Sequence, residues 1–166
     1  MICMDCREAI DGRRSIRKYT PGEIPRADIE RMLESAMKAP SARNSRPWSF
    51  VVVTDDSVRK KLGNLSPNFS MVLEASVAII ICGRNDLSEF WQQDCGAAIE
   101  NMLLEAHSMG YGTCWCGVYP SEQRVEAVGK TIGNTDGIPM ALIALGIPAE
   151  SPACRGKYEQ SKVKFI

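Results

Sequence analysis

Apolar positions along the chain fall into two patterns, a 3.6-residue period and short continuous runs, and together they predict alternating helices and strands. Residues 5–11 make a short helix ending at Gly12, after which RRSIRKYTPGEIP is basic, then punctuated by Pro and Gly, and reads as a loop. From Pro25, a favourable first helical residue, Ile29, Met32, Leu33, Ala36 and Met37 keep the spacing of an amphipathic helix, closed by Pro40. The stretch APSARNSRPW is a loop that delivers the chain into a strand over residues 48–54. Asp56 is placed to N-cap a short helix through Leu62, stopped by Gly63 and Asn64, with Arg59 on its solvated side. LSPNFSM follows as an irregular segment, and residues 75–82 are the next strand.

A longer helix is predicted from about Phe90 to Met109, with Ile99, Met102, Leu103 and Ala106 on one face and Gly110 as the stop. TCWCGV as a strand, a helix over residues 121–128 and a strand over residues 140–146 complete the pattern. The last segment, IPAESPACRGKYEQSKVKFI, has no helical period, yet Tyr158, Val163, Phe165 and Ile166 carry apolar surface that a partner would cover. Strands alternating with helices favour, by themselves, a parallel α/β sheet.

Composition narrows the function classes. With 166 residues, 45% apolar and 24% charged, the chain reads as one ordinary folded domain over residues 1–166. Lys plus Arg and Asp plus Glu are both 20, so no net field gathers nucleic acid or anionic membrane, and any anion site must be a local cluster. No apolar run approaches the ~20 residues that span a bilayer, and Asp5, Arg7 and Glu8 interrupt the N-terminus where a signal peptide needs an apolar stretch. A cytoplasmic protein is expected. Seven cysteines, with Cys82 and Cys95 in apolar segments, read as reduced thiols rather than a disulfide framework. His107 is the single histidine and falls within the long helix, which excludes His-rich zinc sites and leaves little acid–base chemistry near pH 7. An enzyme built from this inventory would rely on a bound cofactor.

Three segments carry candidate chemistry. Arg13, Arg14, Ser15 and Arg17 place three guanidiniums and a hydroxyl within five positions, a donor set matched to a phosphate monoester, although a solvated basic loop would look the same. The loop Pro40-Ser41-Ala42-Arg43-Asn44-Ser45-Arg46-Pro47-Trp48 is stiffened by two prolines and presents short polar groups able to hold a planar ligand, or serves as a plain turn. GYGTCWCG has glycines that admit close approach of a ligand to the backbone, but neither GxGxxG nor a P-loop is present. Cys3-Met4-Asp5-Cys6 and Cys114-Trp115-Cys116 each lack the four ligands of a structural metal site. They read as unligated thiols, with an N-terminal metal clip shared across a dimer as the alternative. No metal is expected.

Taken in order, RRSIRKY, APSARNSRPWSFVVV, DCGAAIENMLLEAHSMGYGTCWCGV and GIPMALIALGIPAESP resemble the FMN-dependent nitroreductase family over nearly the whole chain. The resemblance implies an α+β fold with a mixed, mostly antiparallel central sheet flanked by helices, completed by homodimerisation with two FMN molecules at the interface. Residues from about 147 to 166 would form a C-terminal tail reaching onto the partner subunit. By the same resemblance, Arg13, Arg14, Ser15 and Arg17 would contact the FMN phosphate and ribityl chain, supplemented by Arg155 and Lys157. Pro40, Ser41, Ala42 and Asn44 would reach the flavin from the other subunit, Asn68 would contact the isoalloxazine ring, and Cys116 and Gly117 would lie beside its N5 edge. The implied activity is an FMN-dependent oxidoreductase passing a hydride from NADH or NADPH through flavin N5 to an acceptor such as a nitroaromatic or quinone, with no side chain assigned as catalytic. A flavin storage or sensor protein with little turnover is the alternative. Arg46 stands where the family commonly has Gln and Cys116 where several members have Glu, and the helical cover of larger members has no room here, so a more open site is expected.

Overall fold

The computed structural model describes residues 4–133, 135–153, 156 and 158–166. Its helices are α1 (Cys6–Gly12), α2 (Arg26–Met37), α3 (Asp56–Asn64), α4 (Trp91–Ser108) and α5 (Glu122–Ile132). The strands are β1 (Tyr19–Thr20), β2 (Trp48–Val53), β3 (Val77–Gly83), β4 (Gly112–Gly117) and β5 (Ile138–Pro148), with short 3₁₀ turns at Ala42–Asn44, Pro67–Leu73 and Gln160–Lys162.

β5 lies at the centre of the sheet. β3 flanks it on one side, with β2 beyond; on the other side β4 pairs with residues 141–146 and the short β1 with its end, Tyr19 opposite Pro148. All four pairings between named strands are antiparallel. The parallel sheet that strand–helix alternation favours is therefore not formed, and the antiparallel α+β expectation is the correct one. The reason the pattern misleads is visible in β3, whose seven residues are all buried. A continuous apolar strand usually belongs to a parallel sheet covered on both faces; here an antiparallel strand is covered on both faces instead.

Period-two alternation divides the core between the two faces. Val77, Ile79 and Ile81 of β3, with Ala141, Ile143 and Leu145 of β5, face α2 and α4. Ala78, Ile80 and Cys82, with Leu142 and Ala144, face Leu62 of α3, Phe69 and Val72 of the 3₁₀ turn, and Val128 of α5. Fully buried Ile and Leu side chains of this kind stabilise the fold by roughly 1.5–3 kcal/mol each relative to exposure.

Several element boundaries differ from the sequence expectation. Asp55, not Asp56, caps α3, its side chain accepting from the Val58 N–H at 2.9 Å, because it is the residue left in extended geometry before the first turn. α3 runs through Gly63 and Asn64, and a Cβ at Gly63 would stand 2.6 Å from Cδ2 of Leu73. That glycine admits the 3₁₀ turn rather than ending the helix. LSPNFSM is ordered as part of that turn, started by Ser66, whose side chain accepts from the Asn68 N–H at 3.3 Å. Arg59 is buried, not solvated: Nη1 donates to the carbonyls of Val72 at 2.7 Å and Leu73 at 2.8 Å, and Nη2 pairs with Asp56. Pro25 occupies the N-cap position of α2, α5 continues to Ile132, and β5 starts two residues before Met140 and ends at Pro148. Cys82, Cys95, Cys114 and Cys116 are buried free thiols, and burial pushes Cys95 up to about 12. No described helix is long and apolar enough to cross a membrane.

Candidate functional site

The edge of the sheet at β4 organises the site. The backbone N–H of Ile16 donates to the Thr113 carbonyl at 2.8 Å, which lays residues 13–17 alongside the start of β4 through a parallel bridge between Ser15 and Thr113. Alternate residues of a strand turn their backbone groups to the same side, so Trp115 and Gly117 also turn theirs outward, away from β5. A Cβ at Gly117 would meet no atom within 4 Å, so the space beside that backbone is open to a flat ligand.

Two cavities meet here. The first, ≈ 420 Å³, is lined by Arg13, Arg14, Ser15 and Arg17 together with Ile10, Pro152, Ala153 and Gly156. The second, ≈ 460 Å³, is lined by Asn68 and Met71 of the 3₁₀ turn, by residues 114–117 of β4, and by Arg124 of α5. Arg17 lines both. Both volumes are within the range of small-molecule sites.

The cationic residues of the first cavity are not equivalent. Arg13 pairs through Nε with Glu100 at 3.2 Å. Arg14 turns its terminal nitrogens to the carbonyls of Asp11 and Arg13, while its Nε is buried with no hydrogen-bond partner among the described residues. The Arg17 side chain forms no ion pair among the described residues; its backbone N–H donates to Glu150 Oε1 at 2.6 Å, which ties the end of β5 to the cluster. A buried orphan donor and an unpaired guanidinium, side by side with a serine hydroxyl, are an arrangement that a phosphate monoester would satisfy.

In the second cavity the Cys116 Sγ lies 3.3 Å from the Met71 Sδ. Cys114 and Cys116 point to the same face of β4, and the thiol hydrogen bond from Cys116, followed by the charge of Arg17, pulls Cys114 down to about 7 against the opposing effect of burial. Cys116, which holds the proton, is pushed up by the same hydrogen bond and by burial. Asn68 is exposed at the rim.

The loop over residues 40–47 lies elsewhere in the subunit. Arg43, Asn44 and Arg46 take left-handed backbone conformations with φ of 54°, 54° and 47°, uncommon for residues other than glycine and concentrated at functional sites. Buried Asp94 of α4 anchors the loop, accepting from the Ala42 N–H at 2.9 Å and the Ser88 hydroxyl at 2.8 Å. Arg46 is tied back to Ser41 Oγ and Asn44 Oδ1, both at 3.0 Å. Ala42 opens onto a separate ≈ 240 Å³ cavity against residues 85–90, and Pro40, Ser41, Ala42 and Asn44 line neither cavity at β4. Arg155 and Lys157 lie outside the described residues, as does Cys3 of the N-terminal cysteine pair.

A larger cavity among the described residues, ≈ 740 Å³, is lined by Arg14 and Ile16 of the 13–17 segment and includes His107, Tyr111 and Glu150. Its charged lining is one guanidinium, Arg14, and one carboxylate, Glu150, so it lacks the cationic character of its neighbour. His107 is half-buried on α4 and packs close to Gly12, and burial, then the charges of Arg14 and Arg13, lowers its pKa. Sequence reading passed over Asp94, Glu150 and Arg124, each of which contributes through a long-range contact that no local spacing signals.

The sequence matches the Nitroreductase family over residues 10–69 and 67–147. It is 43% identical over 164 residues to a Methanothermobacter thermautotrophicus protein bearing the provisional name NADH dehydrogenase/NAD(P)H nitroreductase, an alignment covering 96% of this chain and 86% of that one. A Bacteroides thetaiotaomicron structure of the same provisional name superposes with a TM-score of 0.92 at 36% identity, covering 96% and 95% of the two chains. A nitroreductase from Desulfovibrio desulfuricans in complex with FMN superposes with a TM-score of 0.80 at 28% identity, covering 94% and 92%. With the antiparallel sheet, the basic segment beside β4 and these matches in agreement, the chain belongs to the Nitroreductase family.

Proposed function

We propose that this protein is an NAD(P)H-dependent FMN oxidoreductase that delivers electrons to a small conjugated acceptor such as a nitroaromatic or a quinone. The observation that carries the reading is the junction at Arg17, where a cavity lined by Arg13, Arg14 and Ser15 joins one bounded by an open strand edge. One end has the donors for a phosphate monoester, and the other has the flat, partly apolar walls and outward backbone groups that suit a planar ring. The names of the relatives, NAD(P)H nitroreductase among them, and the FMN held by the Desulfovibrio neighbour support it.

In this reading the Arg13, Arg14 and Arg17 guanidiniums and the Ser15 hydroxyl hold the phosphate, and the buried Arg14 Nε finds its partner there. Asn68 and the outward backbone of Gly117 orient the ring, with Cys116 beside its edge. FMN, when bound, supplies the hydride-accepting and hydride-donating chemistry. The chain contributes position and a positive field, and no side chain is assigned as acid or base.

Residues 1–166 form one FMN-binding domain completed by a second copy. Tyr158 (72% exposed) and Phe165 (88% exposed) leave apolar surface that a partner would cover, consistent with a tail from about residue 147 onward reaching across. The 40–47 loop, remote from the β4 cavities of its own subunit, then serves the partner's site through Pro40, Ser41, Ala42 and Asn44. Mass spectrometry of the cofactor released after FMN reconstitution tests the reading: FMN at one per chain is expected, and recovery of FAD alone or of no flavin contradicts it.

A further inference from the structure

Arg124 is not among the residues implied to hold FMN, yet it stands at the rim of the ring-side cavity with its guanidinium fixed. Its Nη1 donates to the outward carbonyl of Gly117 at 3.1 Å, and its guanidinium carbon lies 5.8 Å from the ring centroid of Phe69, which is fully buried. Five N–H donors are available to a guanidinium, so the contact to Gly117 leaves a fork that can still be used.

The cavity lining carries charge of one sign, although Glu122 shares the first turn of α5 with Arg124. Arg13, Arg31, Arg59 and Arg84 all have carboxylate partners. Arg124 forms no ion pair among the described residues, and the ≈ 460 Å³ cavity it shares with Arg17 has no Asp or Glu in its lining. Arg124 also sits in the first turn of the eleven-residue α5, whose N-terminal end adds partial positive charge. Arg17 lines the phosphate-type cavity as well, whereas Arg124 lines only the ring-side one.

We infer that Arg124 is a specificity-determining residue that makes this cavity selective for a substrate bearing an oxyanion, such as a carboxylate, sulfonate or phosphate. The inference rests on the proposed flavin-oxidoreductase function and adds the chemical class of its substrate. A guanidinium already held by a carbonyl and a ring loses little further freedom when it takes up an anion, and its planar fork matches two oxygens at once. The anion can belong to the electron acceptor or be the pyrophosphate of the nicotinamide dinucleotide; the recognition chemistry is the same.

The test uses the FMN-loaded full chain as wild type, Arg124→Gln and Arg124→Lys, with Lys130→Gln as the same charge change further along α5. The acceptors are 1,4-naphthoquinone and its 2-sulfonate, with NADH as reductant. Hydrogen bonds to charged groups predict that Arg124→Gln raises KM for the sulfonate by about 10-fold or more, up to ~150-fold. KM for the neutral quinone should stay within about twofold, and Arg124→Lys should recover much of the loss because charge is retained. Equilibrium titration with 2-naphthalenesulfonate, read from flavin absorbance without turnover, should lose affinity in parallel. A rise confined to KM for NADH upholds the oxyanion role and assigns it to the dinucleotide. Equal effects on both quinones, or no effect on any ligand, overturn the inference and leave Arg124 as a strap between Gly117 and Phe69. Failure of the wild type to bind FMN or to reduce either quinone overturns the functional reading itself, and this inference with it.

Discussion

Arg17 belongs to both cavities, and its side chain has no carboxylate partner among the described residues, so its charge is available to a ligand. Replacing it with alanine should weaken FMN binding by about 10–150-fold, the loss of one charge-assisted hydrogen bond worth ~1.5–3 kcal/mol. Lys61→Ala, at an exposed position of α3, is the control, and fluorescence titration of the apoprotein with FMN is the measurement. Arg59 is unsuitable as a control. Helical spacing placed it in solvent, but its partners are carbonyls of a turn thirteen and fourteen residues away, which local pattern does not reveal.

His107 gives a pH prediction at the same scale. Its folded pKa lies below the ordinary 6.5, chiefly through burial and then through Arg14 and Arg13. The unfolded chain therefore binds the proton more readily, so stability is full above about pH 6.5 and falls as pH drops toward the folded pKa. Lowered carboxylates such as Glu34, Asp55 and Asp86 act in the same direction but only near and below their ordinary range of about 4, so the interval from about pH 6.5 to 5 isolates the histidine. Urea midpoints should decline across that interval for wild type and stay flatter for His107→Gln. Parallel slopes for the two proteins would contradict the assignment.

Among the elements, α2, α4 and strands β2 to β5 were legible because each has a strong period or a sustained apolar run, whereas β1, two residues inside the segment read as a loop, has neither and is set only by its pairing with the end of β5. Sheet direction was not legible: β3 is covered on both faces, and hydrophobicity alone does not separate an antiparallel strand so covered from a parallel one. Family resemblance supplied what the pattern lacked. The Pro67–Leu73 turn escaped for a different reason, since a 3₁₀ segment has no long apolar period and is held by Ser66 and by its packing on α3. Gly63→Ala tests that packing. Alanine would gain about 1 kcal/mol of helix propensity, whereas overpacking against Leu73, with Cγ at 2.8 Å and the backbone N at 3.2 Å from the new Cβ, costs roughly 1–3 kcal/mol. A net loss of stability by chemical denaturation is expected, with weaker FMN retention because Asn68 rides on the displaced turn. A stabilised variant would contradict the account.

At the scale of the whole molecule, the phosphate-type cluster was legible as residues but not as a site. Three arginines in five positions are equally a solvated loop; what distinguishes them is the docking of residues 13–17 on β4 and the orphaned Arg14 Nε. The proposed division of the site between subunits predicts a linked failure. Removing the residues after Pro152 deletes Tyr158, Phe165 and Ile166, all exposed in the single chain, together with Arg155 and Lys157. Dimer content and bound flavin should then fall together in sedimentation with absorbance at the flavin band. A truncated protein that remains a flavin-loaded dimer contradicts the role given to the tail.

The most direct test of the central claim is an anaerobic spectrum of the FMN-reconstituted protein during addition of NADH or NADPH and then of a quinone. The account predicts that at least one nicotinamide bleaches the flavin band in proportion to bound FMN and that the quinone restores it over repeated cycles. A flavin band that neither reductant bleaches, or a reduced flavin that no quinone or nitroaromatic reoxidises, would contradict it.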